Sequence, residues 1–142
     1  MTICRTTQRA GSNNPENPNK NVCALKVAQA LGCADRVRYL HTWNDLKRAA
    51  NKGGWSFRSR NSKVKGKTVG GARKALAAIS QSSPYIKAYV IHVDGHVLLL
   101  DRDGNTLVDT APRKADRRKI VNCYAAIDPL QWDIHKICQE YN

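Results

Sequence analysis

Two Asp-Gly steps, Asp94-Gly95 and Asp103-Gly104, cut an otherwise apolar stretch into short pieces. Asp-Gly supplies the positive φ that two-residue hairpin turns require. The stretch therefore reads as a β-meander, with strands over 86–93, 96–101 and 106–109. With Asp103 and Gly104 as the turn, Leu100 faces Leu107, Leu98 faces Asp109 and His96 faces Ala111. Side chains alternate across a strand. His96, Leu98, Asp109 and Ala111 then share one face, and His96 and Asp109 become diagonal neighbours, about 7–8 Å apart at the backbone. The Asp94-Gly95 turn pairs Val93 with His96, which sends His92 to the opposite face with Val97 and Leu99.

A cysteine upstream has its own local logic. Asn21 is a good N-cap, Val22 to Leu31 reads as a short helix, and Gly32 suits the C′ position. Cys23 falls at the second helical position, where free backbone N–H groups and the positive end of the helix dipole lower a thiol pKa. An imidazole within reach would complete an activated pair, and the Cys23 N–H would face a developing oxyanion.

The rest of the chain reads as α+β. Residues 1–20 are polar and rich in Asn and Pro, a coil ahead of a single domain over 21–142. Thr42 and Asp45 form a capping-box start for a helix that carries Trp43, Leu46 and Ala50 inward and stops at Gly53-Gly54. Residues 53–67 read as a basic loop. A helix from Thr68 presents Val69, Ala72, Leu76 and Ile79 at helical spacing, and Ser82-Ser83-Pro84 breaks it. A further strand is expected over 119–126. Asp128-Pro129 opens a terminal helix through Tyr141. Helices first and an antiparallel sheet later is the α+β order, with a nucleophile helix packed on a sheet that presents the base.

These blocks resemble the small papain-like cysteine peptidases, a superfamily with many phage-encoded members and with bacteriocin-processing leader peptidases among its relatives. Asn21-Val22-Cys23-Ala24-Leu25-Lys26-Val27-Ala28-Gln29-Ala30-Leu31-Gly32 is similar to their opening helix. Gly95-His96 through Asp101, followed by Leu107-Val108-Asp109-Thr110, is similar to their closing block. The resemblance implies a minimal papain-like fold, with Cys23 as nucleophile, His96 as base and acid, and Asp109 as its orienter. It also implies an amide side chain about six residues before the cysteine in the oxyanion hole. Asn17 stands there, with Asn19 nearby. The implied reaction is hydrolysis of an amide or isopeptide bond in a protein or peptide, or transfer of the acyl group to an amine. The implied setting is a cytoplasm, the host's if the chain is phage-encoded.

Charge is the second strong feature. Lys and Arg total 24 against 11 acidic residues, a net +13. No acidic residue occurs from Leu46 to Val93, a stretch that includes Lys47, Arg48, Arg58, Arg60, Lys63, Lys65, Lys67, Arg73 and Lys74. Such a field draws nucleic acid or acidic protein. Trp55 and Phe57 lie among the arginines, where they could stack on bases or wall a substrate groove. Trp55, Phe57, Arg58, Arg60, Lys63, Lys65 and Lys67 are therefore the candidate substrate or polyanion contacts. A second basic cluster is Arg113, Lys114, Arg117, Arg118 and Lys119. The charge keeps a second function open: a basic domain that binds nucleic acid or an acidic protein on an inactive papain-like scaffold.

Other classes are disfavoured. No apolar run approaches the roughly 18–20 residues of a membrane span, and the amino terminus lacks the apolar core of a secretion signal. Five cysteines without a Cys-x-x-Cys pair argue against a disulfide framework and a zinc site. Gly66-Lys67-Thr68 lacks the glycine five residues earlier that a phosphate-binding loop needs, since Asn61 stands there. His92 and His96 have a metal-pair spacing only on a helix, which Asp94-Gly95 forbids. No metal and no cofactor is expected.

Overall fold

The computed structural model describes residues 20–140, apart from the side chains of 135, 139 and 140. Its centre is a five-stranded antiparallel sheet of order β1-β5-β2-β3-β4. The strands are β1 (Ser56–Ser59), β2 (Ile86–Val93), β3 (His96–Asp101), β4 (Thr106–Val108) and β5 (Asn122–Ile127). The helices are α1 (Val22–Ala30), α2 (Trp43–Lys52), α3 (Asn61–Val64), α4 (Val69–Gln81) and α5 (Pro129–Glu140). The chain is thus α+β.

Both faces of the sheet are covered. Strand β2 occupies the middle, and its apolar run alternates between two cores. Ala88 and Val90 join Val97, Leu99, Val108 and Ala126 beneath α1 and α2. Tyr89, Ile91 and Val93 join Leu98, Leu100, Cys123 and Ala125 beneath Val69, Ala72 and Leu76 of α4. A strand buried on both faces reads as a continuous apolar run, as Ile86–Val93 does. The buried Tyr89 hydroxyl donates to Leu76 O at 2.7 Å and meets Ser80 Oγ at 2.6 Å, tying α4 to the central strand.

Local chemistry sets the helix ends. Asn21 Oδ1 accepts from Cys23 N at 3.0 Å. After Leu31, Gly32 takes φ +71° and turns the chain. The Thr42–Asp45 capping box forms, each side chain accepting the other's backbone N–H at 3.1 Å. Thr68 caps α4 by accepting from Gly71 N, which gives the Gly66-Lys67-Thr68 run a structural use.

The region 53–67 is not a loop. It holds β1, paired with β5 from Ser56↔Ile127 to Ser59↔Tyr124, and the short helix α3. Serine and arginine carry little strand signal, and β1 forms because β5 offers an edge and Phe57 a core-facing ring. Asn61 then ends the strand by accepting from Cys123 N at 2.7 Å. The strand expected over 119–126 begins later, at Asn122, because Ile120 and Gly66 pair across the loop instead. Among the described residues no helix is long and apolar enough to cross a membrane.

Candidate active site

Cys23 sits in the first turn of α1, 7 % exposed, with its side chain directed at the end of β3. There it stands beside His96, close enough for the imidazole and the Val97 and Ala24 N–H groups to act on the sulfur. Sγ further lies 2.8 Å from Asn21 Oδ1. That contact serves only the protonated thiol, whereas His96 and the two N–H groups favour the thiolate. The Cys23 N–H expected to face an oxyanion is held by Asn21 Oδ1 in the resting site, because the N-cap claims it first.

His96 Nε2 lies 2.8 Å from Asp109 Oδ1. The pairing arises differently from the expected turn. Asp103 has no positive φ; only Gly104 does, at +83°. Asp101 N bonds Asn105 O, so the loop has three residues, and Leu100 pairs with Thr106. A bulge at Leu107 then restores the pairing of Leu99 with Val108. The extra turn residue and the bulge cancel, so His96 and Asp109 share a face as the sequence implied.

Behind Asp109 stands a cation that sequence reasoning assigned to a surface cluster. Arg118 Nη2 donates to Asp109 Oδ2 at 2.6 Å, and the guanidinium also binds both oxygens of Asp116. The Asp109 and Asp116 side chains are 3 % and 2 % exposed. Ala111 N completes the shell of Asp109 Oδ1 at 2.9 Å. The sequence signal was Asp116, the one acid in a run of basic residues, which marks a charge partner rather than a solvated face.

The electrostatics follow from these contacts. Burial raises the Cys23 thiol, but the hydrogen bond and charge of His96 and the Val97 N–H outweigh it, so the net shift is downward. Burial alone would lower His96, but Asp109 and Cys23 hold its proton up to about 9. Burial would raise Asp109, yet His96 and Arg118 keep its carboxyl well below the usual range. The arrangement stabilises a thiolate–imidazolium pair relative to an isolated thiol. It can deliver a nucleophile, a proton and an oriented base to one carbonyl.

A cleft of about 180 Å³ opens over the sulfur, lined by Asn21, His41, Trp43, His92 and His96 among others. His92 does face the sheet side opposite His96. It nevertheless reaches the cleft, because Cys23 belongs to the layer on that side. Its ring stacks on Trp43, centroids 5.2 Å apart and 11° from parallel, and its Nδ1 lies 3.1 Å from Asn122 Nδ2. Burial lowers its pKa, which keeps it neutral. Strand alternation rightly separated the two histidines but could not show that the nucleophile comes from the far layer.

The expected basic contacts divide. Trp55 is 2 % exposed, with its indole donating to Leu31 O at 2.8 Å, so it is a core residue rather than an exposed stacking platform, although it is among the residues lining the groove beside α2. Its apolar neighbours in α1 and α2 claim it. Phe57, Arg58, Lys47 and Arg48 line a groove of about 750 Å³ beside α2. Arg58 and Arg60 line a second, about 470 Å³, with Tyr85 and Trp132. Lys63, Lys65 and Lys67 are exposed but line neither groove. Asn17 and Asn19 lie outside the described residues. Among the described residues no three His, Cys, Asp or Glu side chains converge on a metal site. No family model matches the chain, and neither a curated protein nor a solved structure matches it.

Proposed function

We propose that this chain is a papain-like cysteine hydrolase that cleaves an amide or isopeptide bond. One observation carries the reading: Cys23 and His96 line one cleft, and His96 Nε2 is hydrogen-bonded to the buried Asp109 at 2.8 Å. The Cys23 thiolate attacks the carbonyl carbon, and the carbonyl electron pair moves to oxygen. His96 gives its proton to the leaving amine as the C–N bond breaks, leaving an acyl thioester on Sγ. His96, now neutral, takes a proton from water, whose oxygen attacks the thioester and releases the acid and the thiolate. An amine in place of water gives acyl transfer. Asp109 holds the imidazole in one orientation throughout, in the manner of triad orienters. Asn17 or Asn19 supplies an oxyanion donor in this reading. The free thiols of Cys23, Cys33, Cys123 and Cys138 support a cytoplasmic setting, with a phage origin drawn from the resemblance.

A second reading is favoured by the basic groove. There the domain binds nucleic acid or an acidic protein, and the scaffold is inactive. Salt-dependent binding that survives Cys23→Ser, with no activity in the native chain, would select it.

The decisive test of the hydrolase is the pH dependence of Cys23 alkylation by iodoacetamide, followed by peptide mass mapping. Cys23 is expected to react well below the ordinary thiol range, and His96→Ala to abolish that shift. Cys33 and Cys123, pushed up by burial to about 11 and about 12, serve as silent internal controls. An ordinary titration of Cys23 in both proteins overturns the reading.

A further inference from the structure

The cleft over Cys23 does not end at its aromatic wall. Trp43 stacks on His92 and also meets Tyr124, centroids 5.4 Å apart, and Tyr124 meets Phe57 at 6.2 Å. All four rings are half-buried. The register places His92, Tyr124 and Phe57 on one sheet face, on β2, β5 and β1 in turn. The row thus crosses the sheet from the catalytic cleft to the edge strand. Above it, Trp43, Lys47 and Asn51 lie at i, i+4 and i+8 of α2, one stripe of that helix. Lys47 Nζ sits 4.7 Å from the Tyr124 ring centroid. The row ends in the groove of Lys47, Arg48, Phe57 and Arg58, whose lining contains no carboxylate.

The far end also suits an extended peptide. Arg60 N bonds Cys123 O, so alternation turns the peptide N–H and C=O of Phe57 off the sheet edge. An unpaired edge strand is a template for an added strand. From His96 on β3 to Phe57 on β1 is three strand spacings across the sheet, about 14 Å, and the offset from Val93 to Ala88 along it, about 17 Å, together about 22 Å or roughly six residues of extended chain. We infer that the substrate of the Cys23 site is an extended peptide with an acidic segment about six residues from the scissile bond, seated in the Lys47–Arg48–Arg58 groove. This rests on the hydrolase reading and adds the chemical class of its substrate.

The test uses chloroacetyl peptides that alkylate Cys23, built with the electrophile at either end. Each carries a neutral spacer of two to seven residues and then three Asp or three Asn. In one orientation, with a spacer near six, the Asp probe is expected to label Cys23 roughly tenfold faster at low salt, as two or three exposed charge pairs allow. The preference should shrink with added salt, and the Asp/Asn rate ratio should fall towards one in Lys47→Glu/Arg58→Glu. Cys23 of the double variant should stay hyperreactive to iodoacetamide, which separates loss of the groove charge from misfolding. A ratio of one at every spacing and in both orientations, with Cys23 still hyperreactive to iodoacetamide, overturns the inference and leaves the hydrolase standing. An ordinary Cys23 removes both. Protection of Cys23 by an oligonucleotide of equal charge more strongly than by the Asp peptide makes the groove a nucleic-acid surface and also overturns the inference.

Discussion

Asn21 and Arg118 show how single side chains set the chemistry of this site. Asn21 caps α1 and touches the sulfur at once. Aspartate caps a helix as well as asparagine, but it would put a carboxylate against Sγ and raise the thiol. Asn21→Asp is therefore expected to leave the urea midpoint nearly unchanged and to slow Cys23 alkylation at neutral pH roughly tenfold, a direction set by like-charge repulsion. Unaltered alkylation would show that this side chain does not meet the sulfur in solution. Arg118 neutralises two buried carboxylates. Arg118→Leu leaves Asp116 without its cation and Asp109 with only His96 and the Ala111 N–H, and should cost about 3 kcal/mol in urea denaturation. Asp109 and Asp116 are held below their ordinary 3.8. Their contribution is present above about pH 3.8 and is lost as pH falls further. In Arg118→Leu the acid transition should move to higher pH, read by circular dichroism. The residues named from sequence for the nucleophile, base and orienter do meet. Arg118 was hidden because five neighbouring cations look like a solvated face until the partner acid Asp116 is weighed.

At the scale of elements, the β3–β4 hairpin carries the site. Its turn glycine is fixed by more than its φ of +83°. A Cβ there would stand 2.4 Å from Arg73 O, backbone that cannot yield cheaply. Gly104→Ala should destabilise the protein by about 2 kcal/mol or more, from left-handed strain plus that clash. A thermal melt checks it, and an unchanged melting temperature would show that the turn does not pack on α4. The sequence placed both turns and the face shared by His96 and Asp109, since hydrophobic alternation beyond the turn pins the register. It missed the three-residue loop and the bulge because Asp-Gly suits either turn. It also missed β1 and α3, which exist only through pairing with β5. Trp55 was half legible: it lines the groove beside α2, as its place among the arginines implied, but the fold buries nearly all of it in the core with α1.

At the scale of the whole molecule, charge and pH act together. The Cys23 thiolate forms on the acid side of its ordinary range, and His96 keeps its proton up to about 9. Between these limits an imidazolium lies beside the sulfur and should draw anionic reagents. The ratio of iodoacetate to iodoacetamide rates at Cys23 is expected to be high at neutral pH and to fall as pH rises through about 9. His96→Ala should flatten it, and a flat ratio in the native chain would show that His96 is not charged there. The net +13 adds a long-range attraction for anions, but that background changes little across pH 9 and is shared by Cys138.

The proposed nucleophile and its proposed base belong to different layers. Cys23 is part of the core between α1, α2 and the sheet, whereas His96 and Asp109 alternate with Val97 and Val108 of that core and face the other way. They meet only where β3 begins. A ribosome therefore releases the helix bearing the thiol well before it makes the strand bearing the base. Until the meander has zipped onto β2, the nascent chain holds an ordinary cysteine, unable to attack its own backbone or any neighbour. In the hydrolase proposed here, completion of folding is the step that arms it.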